Sequence, residues 1–198
     1  MQRSILVSLR SLVTIPVLAT SFTIAPLGDI MKMPSVRVLL TDENRTLAFA
    51  PADNKQQEFE EEAKKIDAYF GDKHLPFDHY GMTFVTEAEK NGLPWALLPA
   101  IAMRESTGGK FPCSKDPDNG FGWGSCRIKF ASVEEAIATV ARNLGGNNPN
   151  TAHHYADKDV DGILKAYNPP KVVPHYADQV KAIMKAIENY PISDSTNA

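Results

Sequence analysis

The run "LLPAIAMRES" ends in a glutamate, Glu105, seven residues after Leu98 and four after Ile101, so on a helix it shares their apolar face. A carboxylate taken out of water there loses solvation, and its pKa rises. An acid kept neutral near pH 6 to 7 can hand a proton to a leaving group, which is how a general acid is made from an ordinary glutamate. The competing role is a glutamate that reaches solvent, or one that pairs with Arg104 or Arg127.

The residues that follow could build a site around such an acid. Residues 107–131 are rich in glycine and contain "DNGFGWGSC", where glycines let backbone amides approach a ligand and Trp123 offers an apolar face to a sugar ring. Core packing is the alternative for Trp123 and the better expectation for Phe121. Hydrolysis by paired carboxylates needs a second acid about 5 to 9 Å from the first. Asp116 and Asp118 are the candidates, although "KDPDNG" is also ordinary turn chemistry. Glu134 reads as solvated and Glu135 as part of a helix cap. His153, His154 and His175 have no metal-ligand spacing, so no metal or other cofactor is expected. No serine or cysteine nucleophile has an evident histidine partner, and Ser106 reads as a helix-end hydrogen bonder.

Helices must position these groups. Phe59, Ala63, Ile66 and Phe70 form one apolar stripe closed by Gly71; Tyr80, Phe84, Val85 and Ala88 form a second, ended by Asn91 and Gly92. The third helix carries Glu105 and starts at Pro94, or at Leu98 or Pro99, because Pro99 cannot sit deep inside it. "SVEEAIATVARNLGG" is the clearest element: Ser132 and Glu135 make a capping box, and Val133 to Leu144 carry one apolar stripe. "DVDGILKAY" and "HYADQVKAIMKAIENY" give two more helices, stopped by Pro169 and Pro191. The expected fold is mostly α, with a small loop or β-hairpin lobe after the Glu105 helix and "CRIKF" as its short strand.

In order along the chain, "ALLPAIAMRESTGGKF", "DNGFGWGSCRIKFASVEEAI" and "VARNL" resemble the glucosaminidase domains of bacterial cell-wall hydrolases, in the lysozyme-like superfamily. The likeness covers roughly residues 80 to 188. It implies a lysozyme-like helical domain that cleaves a β-1,4 linkage between N-acetylglucosamine and N-acetylmuramic acid, with peptidoglycan or a related amino-sugar glycan as partner. It also implies Glu105 as the catalytic acid, followed by Ser106 and Gly108, and a cleft-lining turn of Asn119, Phe121, Gly122, Trp123 and Gly124. Phe130, Ser132, Glu134, Glu135 and Ala136 match the family's helix entry, and Tyr176, Ala177 and Val180 its late aromatic segment. "KAYNPP", with Tyr167 and Asn168, is similar to the motif of lytic transglycosylases and goose-type lysozymes, where the tyrosine sits near the acid. Tyr167 and Tyr176 read as core by periodicity, and the resemblance alone moves them to the cleft. A lytic transglycosylase or muramidase of the same superfamily, and a wall-binding module without activity, are the alternatives.

At 198 residues, 43% hydrophobic and 23% charged, the chain has room for one globular core with extensions. The net charge of -3, without a run of Lys and Arg, argues against nucleic acid as a partner. Arg3 and Arg10 precede uncharged, mostly apolar residues 11–28, the layout of an export signal that is either cleaved or retained as a membrane tether. The expected location is secreted, periplasmic or otherwise at the cell envelope. Export also suits a disulfide between Cys113 and Cys126. The expected organisation is a signal or anchor at 1–28, a linker at 29–55 with one short extended piece at 36–40, the domain at 56–190, and a disordered tail at 191–198.

Overall fold

The computed structural model describes residues 51–192, and the expectations for residues 1–50 and 193–198 fall outside them. The described part is mostly helical: α1 (Pro51–Gly71), α2 (Gly81–Lys90), α3 (Leu97–Ser106), α4 (Val133–Leu144), α5 (Ala152–Tyr155), α6 (Val160–Tyr167) and α7 (Tyr176–Glu188). The first helix begins at Pro51, five residues before the expected start of the domain. None of these helices is long and apolar enough to cross a membrane.

Each amphipathic stripe turns inward. Ala63, Ile66 and Phe70 of α1 meet Phe84, Val85 and Ala88 of α2 in the core, and Ile101 of α3 joins Val180 and Met184 of α7 there. Gly81 lets α1 and α2 approach closely, since a Cβ there would lie 2.3 Å from the Ala63 carbonyl oxygen. Its N–H donates to Asp67 Oδ1 at 2.8 Å, so the start of α2 is tied to α1. The rings of Phe70, Phe77 and Phe121 each pack on Phe84, with centroids 6.2 to 6.5 Å from it. Beyond α7, Tyr190 packs edge-on against Tyr69 at 5.3 Å and closes the bundle back onto α1.

The termini obey local rules. Pro99 is the third residue of α3, where an N–H would have no partner inside the helix, so the ring costs no hydrogen bond. The ladder begins at once with Ala100 N–H to the Ala96 oxygen at 3.1 Å. Ser132 caps α4 by accepting from Glu135 N–H at 3.3 Å, while the Glu135 side chain reaches Ala131 N–H instead of Ser132. Asp159 caps α6 through Gly162 N–H at 2.8 Å.

Between α3 and α4 the expected lobe is a loop and not a hairpin. Residues 107–132 make a loop with a single bridge, Cys113 to Asp116, and a short 3₁₀ turn at Trp123–Cys126; no strand occurs among the described residues. Positive φ at Gly122, Gly124, Ser125 and Cys126 bends the chain too sharply for extended pairing, and residues 124–129 are exposed with no partner strand beside them. The loop is held by its own side chains and by a Cys113–Cys126 disulfide with Cα atoms 5.4 Å apart.

Candidate active site

Glu105 sits in the last turn of α3, which ends at Thr107 in the left-handed region (φ 55°, ψ 53°), with Gly108 N–H closing back on the Ala102 oxygen. Ser106 Oγ donates to the Ala102 oxygen at 3.0 Å and accepts from Gly109 N–H at 2.9 Å, so it secures the helix end. The turn delivers the loop across the end of α3. The result is a cleft of about 490 Å³ lined by Glu105, the backbone around Gly122, Trp123, Tyr155, Tyr167 and Asn168.

Glu105 is half-buried, and the ion pairs with Arg104 and Arg127 do not form: Arg104 turns to Gln179, and Arg127 is exposed. Its Oε1 accepts a hydrogen bond from the Tyr176 hydroxyl at 2.6 Å. Oε2 lies beside Gly122, where a Cβ would come within 3.4 Å of it. Loss of solvent holds the carboxyl above the ordinary carboxylate range; the Tyr176 bond and the nearby Arg104 charge pull it back in part. Burial, together with the Glu105 charge, pushes the phenols of Tyr167 and Tyr176 upward, so both stay neutral donors. Glu105 is the one carboxylate that lines the cleft among the described residues.

The aromatic wall is continuous. Trp123 faces Tyr155 at 6.4 Å and Tyr167 at 5.8 Å, and Tyr167 lies nearly parallel to Tyr176, with planes 7° apart and centroids 6.0 Å apart. Tyr167 donates its hydroxyl to the Phe121 carbonyl at 2.5 Å, which ties α6 to the loop.

Of the residues singled out in the sequence, Glu105, Phe121, Gly122, Trp123, Gly124, Tyr167 and Asn168 meet along the cleft. Their roles differ. Phe121 lies along the cleft, but it is 0% exposed and its ring packs on Phe84 at 6.5 Å, so it shapes the cleft floor from beneath. Tyr176 is 2% exposed and acts on Glu105, not on the cleft space. Asn119 is 0% exposed, and its amide is spent on the loop: Oδ1 accepts from Trp123 N–H at 2.9 Å, and Nδ2 donates to the oxygens of Trp123 and Ile128 at 3.0 and 3.2 Å. It organises the loop and has no group left for substrate.

Asp116 does not serve as a second acid. It is buried, and its two oxygens accept from the N–H groups of Phe130 at 3.0 Å and Asp118 at 3.4 Å. Asp118 stands in the same turn and does not line the cleft. The histidines His153, His154 and His175 are exposed, and no group of three potential metal ligands forms among the described residues.

Two features went unseen in the sequence. Tyr155 reaches the cleft from α5, a four-residue helix too short to show a period. Arg104 and Gln179 join α3 to α7 through an Nε to Oε1 hydrogen bond of 2.8 Å, a contact across 75 residues that no local pattern encodes. Comparison of the chain with models of known protein families, with curated proteins and with solved structures returned no match.

Proposed function

We propose that this is a lysozyme-like glycoside hydrolase of the cell envelope that cleaves a β-1,4 linkage in the glycan strand of peptidoglycan, with Glu105 as general acid. One observation carries the reading: a half-buried carboxyl, raised above its ordinary range, opens onto an aromatic cleft from which other carboxylates are missing among the described residues. The motif likeness and the stacking surface of Trp123 and Tyr167 point to an amino-sugar substrate.

In this mechanism Glu105 passes its proton to the glycosidic oxygen as the bond from that oxygen to the anomeric carbon breaks. The positive charge left on the sugar is met by the substrate itself. Its acetamido oxygen attacks the anomeric carbon and water then opens the product, with Glu105 as base; or, in the transglycosylase variant, the sugar's own hydroxyl attacks and gives up its proton to Glu105. Both variants fit the commitment of Asp116 to backbone amides, which takes away one candidate for the second carboxylate of a paired-acid route.

The test is direct. The full chain and its Glu105→Gln variant are incubated with purified peptidoglycan, and soluble fragments are measured by mass. Release of fragments by the wild type, reduced about 10²-fold or more in the variant, is expected. Equal rates would leave a non-catalytic wall-binding module in place of the enzyme. Among released fragments, ordinary reducing ends mark hydrolysis and anhydro ends mark transglycosylation.

A further inference from the structure

We propose that Arg104 and Gln179 are positioning residues that select which oxygen of Glu105 gives up its proton. This rests on Glu105 being the general acid. Arg104 and Glu105 are adjacent on α3 and so project about 100° apart around the helix. Tyr176 and Gln179 are three residues apart on α7 and share a face. The two pairs meet as a clasp: the Tyr176 hydroxyl on Glu105 Oε1 at 2.6 Å, and Arg104 Nε on Gln179 Oε1 at 2.8 Å. The Arg104 guanidinium also lies 5.8 Å from the centre of the Tyr176 ring, which is stacked on Tyr167.

The clasp has a chemical result. The Tyr176 phenol, kept neutral, donates to Oε1 and has no other acceptor among the described residues, so holding that bond when Glu105 is protonated leaves Oε1 as the acceptor. The proton of the neutral carboxyl therefore sits on Oε2. That is the oxygen beside Gly122, on the cleft side. If Arg104 or Gln179 is removed, α7 can shift against α3, the phenol loses its line to Oε1, and the proton is shared between a productive and an unproductive oxygen. Neither Arg104 nor Gln179 lines the cleft, so substrate binding is left alone.

The groups that face the carboxyl are Tyr176 of α7, Arg104 of α3 and, through its charge field, Tyr167 of α6. The first two favour the carboxylate form, so loosening the clasp also lets the pKa of Glu105 climb. A general acid is lost as pH rises through its pKa. The alkaline limb of the rate profile must then move to higher pH.

The experiment measures kcat and KM against pH on glycan-strand fragments for the full-length wild type, Arg104→Met, Gln179→Leu and Glu105→Gln. Expected for both clasp variants are a kcat about tenfold lower, KM within about twofold of wild type, and an alkaline limb displaced upward. Should Arg104→Met fail to fold, Gln179→Leu, an exposed position, decides alone. Clasp variants with wild-type kcat and an unmoved limb, beside an inactive Glu105→Gln, would overturn the clasp and leave the general acid standing. A Glu105→Gln variant as active as wild type would overturn both.

Discussion

Replacing Asn119 with alanine separates a loop organiser from a sugar contact. In the folded protein its amide makes three hydrogen bonds, to Trp123 N–H, the Trp123 oxygen and the Ile128 oxygen, from a position with no solvent exposure. Each is worth about 1 kcal/mol net, so alanine removes about 3 kcal/mol. For a chain of 198 residues that is a fall in Tm of roughly 6–12 °C. Asn119→Asp is expected to be worse at neutral pH, because a buried carboxylate would face two carbonyl oxygens that now lack donors. Thermal melting followed by circular dichroism measures both variants, and chemical denaturation at unchanged m-value checks that the transition is the same one. A Tm of Asn119→Ala within about 1 °C of wild type, with a raised KM for glycan, would refute this account and make the side chain a ligand contact after all.

Gly122→Ala forces a side chain onto a residue with φ 64° and places its Cβ 3.4 Å from Glu105 Oε2. A stability loss of about 1–2 kcal/mol and a lower kcat are expected, read by melting and by turnover. Burial and the charges of Glu58 and Glu89 raise Glu62 of α1 from 4.5 to about 6, so its ionisation opposes folding. Stability from this group is whole below pH 4.5 and declines as pH rises towards about 6; Glu62→Gln should therefore raise Tm above pH 6 and change nothing below 4.5. A Tm gain that is the same at every pH would contradict this. Cutting the Cys113–Cys126 link, which closes a 13-residue separation, by paired serine substitution should cost about 3 kcal/mol and weaken glycan binding through loss of order at Trp123. Calorimetry and KM together check it, and an unchanged KM would show that the side chains of Asn119 and Asp116 hold the loop without the disulfide.

Most of the helical framework was legible from local rules. The stripes of α1, α2, α4, α6 and α7 follow a 3.6-residue period, and the cap at Ser132 sits where a side-chain oxygen can meet a free N–H group. The position of Glu105 on an apolar face is a matter of phase along a single helix, so it too could be read without a fold. The strand expected at residues 126–130 was misread because a short apolar run is compatible with either strand or loop until a partner is found for it. Here the side chains of Asn119 and Asp116 supply hydrogen bonds to Ile128 and Phe130 that a partner strand would have given, and the disulfide pins the start of the segment.

The sequence by itself determined that the described domain is mostly helical, that one acid lies on an apolar face, and that glycines and two cysteines follow it. Tertiary structure alone decided which tyrosine meets that acid, that Asp116 and Asn119 are buried for the sake of the loop, and that Tyr155 joins the cleft wall. The reason is the range of the forces. Periodicity and capping act within a few residues, whereas the bond from Tyr176 to Glu105 spans 71 residues and exists only because the packing of α7 on α3 sets the rotation of one helix against the other.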